Sequence, residues 1–199
     1  MGLQLSTRSR HPFVERGPDL YETPAPVTCA LLKVEPLLQA RRHIWEPAAG
    51  RGAIAAVLRE AGHEVVASDI TDHGGPPFTV PGYLDRDFFL ECAAPTGTEI
   101  ILTNPPFKCA ADFVRQALKL CPRVIMLLRL AFLESVSRTD LLEGGSFARI
   151  HVFRARLPMM HRHNWAGPRS TSAIAYMWAV WDGGHIGPPT IHRISWDRG

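Results

Sequence analysis

Residues 99–107, EIILTNPPF, predict the unit around which the rest of the chain is arranged. The apolar run Glu99–Leu102 is typical of a buried strand, and Ala110–Leu120 has the composition of a helix. Thr103–Phe107 therefore lies at the carboxyl end of a strand, where open α/β sheets place their ligand crevice. The stretch predicts an α/β fold with a binding site at this turn.

The turn offers hydrogen-bond acceptors on a rigid frame. Pro105 and Pro106 fix their φ angles and have no backbone N–H, so nearby carbonyl groups are free to accept. The side-chain oxygen of Asn104 is a further acceptor, and Phe107 adds an aromatic face. These four residues suit a site that holds a planar, NH₂-bearing group without giving it a proton. Asn and Pro also occur in ordinary turns, which leaves a plain structural turn as the alternative.

Strand and helix patterns alternate over the first two-thirds of the chain, which predicts a parallel sheet with covering helices. The last two strands are joined without a helical pattern, which predicts an antiparallel pair at one edge. The predicted strands are His43–Pro47, Glu64–Ile70, Glu99–Leu102, Arg123–Leu130, Ile150–Leu157 and Ser172–Trp181. The predicted helices are Val27–Gln39 (kinked or ended early at Pro36), Ala53–Ala61, Ala110–Leu120 and a short helix that ends at Leu142.

Composition predicts one domain in the cytoplasm. The 199 residues are 46% hydrophobic, enough for one full core, and no run approaches the roughly 20 apolar residues of a membrane helix. Residues 1–20 lack the apolar segment of a secretory signal and are predicted to be a flexible arm, residues 21–185 one domain, and residues 186–199 a polar tail. The cysteines show no CxxC pairing and lie in apolar segments, which predicts buried free thiols: Cys29, Cys92, Cys109 and Cys121.

A glycine turn, EPAAGRG at residues 46–52, lies between a strand and a helix. Glycine there permits positive φ and lets a ligand approach the backbone. Gly50, Gly52, Ala55 and Asp69 also fit a dinucleotide fingerprint. Against that reading, Glu46 would repel a pyrophosphate but suits a ligand with an amino group and a cation, and a dinucleotide fold needs no NPPF turn.

Acids at two later strand ends extend the candidate site. Asp69 can accept hydrogen bonds from two ribose hydroxyls, and Asp87 can accept from the amino group of adenine. Phe88 can pack against the face of that ring. Each acid alone is typical of a solvated strand end, but together with the glycine turn they favour a nucleoside-bearing ligand.

Basic residues are concentrated between Arg149 and Arg169, where five arginines occur without an acid. This favours phosphate contacts, with a solvated surface as the alternative. The candidate substrate loop is 158–172, although Trp165 could instead belong to the core. Two histidines at positions 161 and 163 lack further ligands, so no metal is predicted. The candidate substrate-binding residues are Phe107, Lys108, Arg129, Arg162, His163, Trp165 and Arg169.

The order of these motifs resembles that of S-adenosylmethionine-dependent adenine-N6 DNA methyltransferases of the gamma type, in which cofactor motifs precede the catalytic motif. The matching motifs are Tyr21-Glu22-Thr23-Pro24, Glu46–Gly52, Asp69, Asp87-Phe88 and Asn104–Phe107. Residues 128–135 and 175–182 look like segments of small phage and prophage enzymes of this kind. The resemblance covers residues 21–183.

The resemblance implies a class I methyltransferase fold, a Rossmann-like and mostly parallel seven-stranded sheet with an antiparallel edge strand. It implies S-adenosylmethionine as cofactor and DNA as partner, in a bacterial or phage-infected cell. The implied cofactor-binding residues are Tyr21, Thr23, Pro24, Glu46, Pro47, Ala48, Gly50, Gly52, Asp69, Ile70, Asp87, Phe88 and Asn104. The implied catalytic residues are Asn104, Pro105, Pro106 and Phe107.

The expected reaction is methyl transfer to the N6 amine of adenine in DNA. The family usually carries a separate target-recognition domain, which this sequence does not show, so a homodimer or another partner could supply recognition. Two alternatives therefore stay open: methylation of an RNA base amine or a protein glutamine, and a cofactor-binding module without catalysis.

Overall fold

Seven strands and four α-helices form the part of the chain that the computed structural model describes, residues 22–71, 73, 86–157 and 173–196. The strands are β1 His43–Glu46, β2 Glu64–Ala67, β3 Ile100–Thr103, β4 Arg123–Arg129, β5 Phe147–Phe153, β6 Tyr176–Asp182 and β7 Thr190–Ile194. The helices are α1 Ala25–Leu32, α2 Ala53–Glu60, α3 Ala110–Leu120 and the short α4 Thr139–Leu142. None of these helices combines the length and apolar character needed to cross a bilayer.

The strands form one sheet in the order β2-β1-β3-β4-β6-β5-β7. β1 pairs in parallel with β2 and β3, and β3 pairs in parallel with β4. β6 runs antiparallel to both β4 and β5, so β4 and β5 run in the same direction. The predicted α/β class, mostly parallel with an antiparallel strand pair, is confirmed. β6 lies between β4 and β5 and not at the outer edge of the sheet.

The outer edge is formed by β7, which pairs in parallel with β5. Sequence analysis assigned these residues to a polar tail. The pattern of β7 explains this, because four of its five residues are exposed and only Ile194 is buried. An edge strand with so little burial lacks the apolar alternation by which strands are recognised.

Helices cover both faces of the sheet. On one face α1 and α2 pack against the sheet through residues such as Leu31 and Leu58, and on the other α3 packs through Phe113 and Val114. Helix α1 ends at Leu32, and Pro36 begins a separate 3₁₀ turn over Pro36–Leu38, as the position of this proline predicted. All four cysteines are free, but Cys29 and Cys92 are exposed and not buried, Cys29 being on a solvent-facing position of α1.

A buried ionic cluster ties the segment after α1 to β5. The carboxylate of Glu35 is fully buried and accepts hydrogen bonds from Nη2 of Arg149 at 2.8 Å and from the backbone of Leu37 at 3.1 Å. Nε2 of His151 lies 2.8 Å from the same carboxylate. Burial raises the pKa of Glu35, but the hydrogen bonds with His151 and Arg149 outweigh it, and the pKa lies below its ordinary value.

Glu35→Gln is expected to lower the free energy of unfolding by about 3–5 kcal/mol, because it removes the fully buried carboxylate that pairs with Arg149 at 2.8 Å and leaves that guanidinium with only Asp182, at 3.5 Å. Urea unfolding at neutral pH measures this. Asp140→Asn is the matched control, since it removes the carboxylate from the exposed Arg115 pair and should cost clearly less. Equal losses in the two variants would contradict the assignment of the Glu35 cluster as a buried ionic tie.

Candidate functional site

A pocket of about 390 Å³ lies at the carboxyl ends of β1, β2 and β3. Parallel pairing places these three strand ends at the same edge, and the segment after each strand contributes to the wall. The pocket collects most of the predicted cofactor and catalytic residues. Those lining it are Thr23, Glu46, Pro47, Ala48, Gly50, Asp69, Ile70, Asp87, Phe88, Asn104, Pro105, Pro106 and Phe107.

Other predicted site residues do not line this pocket. Pro24 lies at the start of α1, and Gly52 is the N-cap of α2 with a φ of 78°. Lys108 follows the Asn104–Phe107 turn, and Arg129 lies at the end of β4 beside the pocket wall. The remaining predicted residues, Tyr21, Arg162, His163, Trp165 and Arg169, lie outside the described residues.

The glycine turn is held against the neighbouring strand by backbone and side-chain hydrogen bonds. The N–H of Gly50, whose φ is 54°, donates to Oδ2 of Asp69 at 2.8 Å. The N–H of Gly52 donates to the carbonyl of Ala49 at 2.8 Å, and the N–H of Ala49 donates to the carbonyl of Ser68 at 3.0 Å. Asp69 therefore fixes the turn as well as facing the pocket, a role the sequence did not indicate.

The Asn104–Phe107 turn is tied to the same glycine turn from the other side. The hydroxyl of Thr103, the last residue of β3, donates to the carbonyl of Ala48 at 3.4 Å. Pro105 is buried and Pro106 has a φ of −57°, which leads directly into a 3₁₀ turn at Phe107–Cys109 and then into α3. Asn104 is thereby presented on the pocket wall at the end of a fully buried strand.

Glu46, at the end of β1, is almost fully buried and is 1% exposed. The backbone N–H of Ala55 in α2 donates to its carboxyl group. Within the described residues, its Oε2 has no hydrogen-bond partner. Burial raises the pKa of Glu46 well above its ordinary value, and the nearby Asp69 charge raises it further. Such a carboxyl group can take a cationic ligand group with little loss of other contacts.

The aromatic segment beside Asp87 places its two rings differently. Phe88 is 4% exposed and stacks on Phe113, with ring centroids 4.3 Å apart, so most of its surface belongs to the core. Phe89 is 42% exposed and also lines the pocket. The carboxylate of Asp87 accepts a hydrogen bond from the backbone of Phe89 at 2.9 Å. The assignment of an adenine ring to Phe88 stays a prediction, and Phe89 offers the more open face.

Phe107 lies between the pocket and two residues from the middle of the sheet. The guanidinium of Arg129 lies over its ring at 4.6 Å from the centroid, within cation–π range. The ring of Tyr176 lies 5.6 Å away, and Tyr176 is the register partner of Arg129 across β4 and β6. The predicted substrate residues Phe107 and Arg129 therefore form one surface beside the pocket.

Sequence analysis missed several pocket residues. Arg51 lies inside the recognised glycine turn and Phe89 directly follows the Asp87-Phe88 motif, but neither was assigned a role of its own, and His73 lies in a segment without a recognised motif. The only sequence signal for Arg51 is that its long side chain stands among the small Ala and Gly residues of the turn. Among the described residues, no group of three or more His, Cys, Asp or Glu side chains is placed to hold a metal. The missed pocket residues are Glu22, Ala49, Arg51, Ala53, Ile54, Thr71, His73, Arg86, Phe89, Cys109 and Phe113.

Solved structures with this architecture include nucleic-acid-modifying enzymes. The chain aligns with a provisionally assigned RNA methyltransferase from Pyrococcus horikoshii at TM-score 0.59 and 15% identity, covering 82% of this chain and 87% of that one. It aligns with the methyltransferase subunit of a type I restriction-modification system from Streptococcus thermophilus at TM-score 0.58 and 12% identity, covering 83% and 45%. The chain has the fold of class I methyltransferases.

A third structure is a provisionally assigned type I restriction enzyme modification subunit from Vibrio vulnificus, with TM-score 0.60, 14% identity, and coverage of 90% of this chain and 48% of that one. At such identities the likeness is one of fold. Comparison of the sequence with protein-family models and with curated proteins gives no match.

The raised pKa of Glu46 predicts a pH-dependent stability that Glu46→Gln should remove. The native state holds this proton more tightly than the unfolded chain, so its stabilising effect is complete below the ordinary pKa of about 4.5 and is lost as pH rises through the raised pKa. Wild-type stability should therefore fall relative to the variant from pH 5 upward. Urea unfolding of both proteins across this range measures the difference.

Burial also lowers the pKa of His63, which makes the stability of both proteins rise with pH. Subtracting the stability of Glu46→Gln from that of the wild type removes this contribution and leaves that of Glu46. Parallel stability curves for wild type and Glu46→Gln would show that Glu46 is ionised in the free protein.

Proposed function

We propose that this protein transfers a methyl group from S-adenosylmethionine to the exocyclic amine of a nucleic-acid base, with N6 of adenine in DNA as the first candidate. The observation that carries the proposal is the presence of the Asn104–Phe107 turn in the same pocket wall as Glu46, Gly50 and Asp69. The rigid turn with its hydrogen-bond acceptors therefore lies next to residues that suit a nucleoside ligand carrying a positive charge. The class I methyltransferase fold supports the same reading.

The pocket residues fit the proposed cofactor. Glu46 offers a buried carboxyl oxygen that no described residue engages, which suits the ammonium of the methionine part. The carboxylate of Asp69 at the end of the second strand suits ribose hydroxyls, and Asp87 with Phe88 or Phe89 suits the adenine. When bound, the cofactor supplies an electrophilic methyl carbon on a sulfonium centre.

The chain's own contribution is to make the substrate amine more nucleophilic and to orient its lone pair towards the methyl carbon. An exocyclic amine is a weak nucleophile because its lone pair is delocalised into the ring. In the proposed mechanism the side-chain oxygen of Asn104 and the carbonyl of Pro105 accept its N–H groups, which increases electron density on nitrogen. Positioning for in-line attack and electrostatic support for the developing charge supply most of the acceleration. Phe107 stacks on the base, which must leave the duplex to reach this turn.

Exposed cations beside the pocket favour a nucleic acid over a protein as substrate. Arg129 is the last residue of β4, and Arg154 and Arg156 follow β5, which runs in the same direction. All three are exposed at the edge that carries the pocket. Guanidinium groups there can bind phosphates of a strand whose base enters the turn.

RNA is the second candidate substrate. The alignment covers 87% of the provisionally assigned RNA methyltransferase from Pyrococcus horikoshii, but only 45–48% of the two restriction-system subunits. The acceptors of the Asn104–Phe107 turn suit the amino group of a base in either DNA or RNA.

A labelled-methyl screen separates these substrates. The protein is incubated with methyl-labelled S-adenosylmethionine and, separately, with duplex DNA, single-stranded DNA, RNA and a protein extract, and the labelled nucleoside or residue is identified. N6-methyladenosine from RNA would select the second candidate, and labelled glutamine would overturn the nucleic-acid proposal. Cofactor binding without transfer to any of these polymers would favour a binding module.

Asn104→Ala is expected to abolish methyl transfer while the affinity for S-adenosylmethionine, measured by calorimetry, stays within a few-fold of wild type. The reason is that the side-chain oxygen would contact the amine, whereas most cofactor contacts lie on other strand ends. Persistence of transfer in this variant would refute the proposed role of the turn.

Phe107→Ala is expected to raise KM for the polymer roughly ten- to a hundredfold, since stacking on one base contributes about 1–3 kcal/mol. Cofactor Kd should change little. Phe107→Tyr is the matched control and should keep most of the substrate affinity, because it retains the ring. A selective loss of cofactor binding would instead place Phe107 in the cofactor part of the pocket.

A further inference from the structure

A carboxyl group and a guanidinium group in the pocket have hydrogen-bonding capacity that the described chain leaves unused. Oε2 of Glu46 and Nε of Arg51 are buried, and neither has a hydrogen-bond partner within the described residues. Both side chains line the same pocket. Burying such atoms without partners is unfavourable, so a ligand that supplies an anion and a cation would be stabilised here.

Arg51 is the group at the glycine turn best placed to take the anion. The N–H groups of Gly50 and Gly52, on either side of it, already donate to Asp69 and Ala49. These two amides are therefore not available to an anionic ligand. The side chain of Arg51 is about one-third exposed, at 32%, and faces the pocket from the turn.

Glu22 provides an internal carboxylate close to Arg51. Its Oε1 lies 3.9 Å from Nε of Arg51, which is an ion-pair distance but longer than a hydrogen bond. Glu22 belongs to the segment that leads into α1, and it also lines the pocket. A carboxylate held at this distance can be replaced by a closer one without breaking a hydrogen bond.

We propose that Arg51 binds the carboxylate of an α-amino acid group whose ammonium is taken by Glu46, and that Glu22 competes with this carboxylate for Arg51. The inference rests on the proposed function, because S-adenosylmethionine and its product carry such a group. It assigns Arg51 a role in ligand binding and Glu22 a role in limiting the affinity for both the cofactor and its product.

Calorimetry with two nucleosides tests this. S-adenosylhomocysteine carries the amino acid group, and 5′-methylthioadenosine lacks it but keeps the adenosine and the sulfur. Arg51→Met should weaken binding of S-adenosylhomocysteine at least tenfold and change that of 5′-methylthioadenosine less than twofold. Glu22→Gln should strengthen binding of S-adenosylhomocysteine two- to fivefold and leave 5′-methylthioadenosine unchanged.

Arg41→Met is the matched control, because Arg41 pairs with Glu64 on the surface and does not line the pocket. It should leave both affinities within twofold of wild type. Retained binding of 5′-methylthioadenosine shows that the Arg51 variant is folded. Equal losses for both ligands, or no loss, would overturn the role of Arg51, and weaker binding of S-adenosylhomocysteine in Glu22→Gln would overturn the competition.

Failure of this inference is distinguishable from failure of the proposed function. If the wild-type protein binds neither nucleoside, the cofactor assignment itself is wrong. If the wild type binds both, and the two variants do not discriminate between them, only the assignment of Arg51 and Glu22 is wrong.

Discussion

The hydrogen bond from Gly50 to Asp69 is the contact on which the geometry of the pocket depends. It holds the glycine turn after β1 against the end of β2, at a donor–acceptor distance of 2.8 Å. On the opposite side, the hydroxyl of Thr103 reaches the carbonyl of Ala48, so the turn is fixed from both neighbouring strands. Parallel strands lie about 4.8 Å apart, so the sheet sets the spacing of the strand ends from which Gly50, Asp69 and Asn104 follow, and the two hydrogen bonds hold the glycine turn on that frame. Rigid placement of this kind is what methyl transfer between two bound molecules requires.

Glu46, at the end of β1, is buried at a cost in stability and suits the proposed cationic ligand group. The side chain is buried between the sheet and α2, where its charged form is poorly solvated and its pKa is raised. An apolar residue of similar size would remove this cost but would leave a cationic ligand without a partner. In contrast, Glu35 is equally buried but is satisfied by Arg149 and His151, and its pKa is lowered. The opposite pKa shifts therefore distinguish the two acids: Glu35 stabilises the fold through its ion pairs, whereas Glu46 has an oxygen that suits the proposed ligand.

Much of this arrangement could be predicted from the sequence, because strand ends and glycine turns leave local signals. The NPPF turn, Glu46 and Asp69 were located from their neighbours along the chain, and the sheet brings them together. Features that depend on distant or non-periodic contacts could not be predicted. Arg149 and Glu35 are 114 residues apart, and nothing near either indicates the other. Strand β7 lacks an apolar pattern, and the choice between Phe88 and Phe89 is made by a 3₁₀ turn whose orientation depends on packing against α3.

The direction of β6 connects the two halves of the site. Because β6 runs against its neighbours, its first residue and not its last lies at the edge that carries the pocket, and this places Tyr176 beside Phe107. A parallel strand at this position would instead bring Asp182 to that edge, next to the exposed Arg129. The described chain also leaves β5 and enters β6 at this edge, on the same side as Arg129 at the end of β4 and the two arginines that follow β5. Reversal of one strand thus gives the proposed base-stacking ring an aromatic neighbour and keeps a carboxylate away from the surface proposed to bind phosphates.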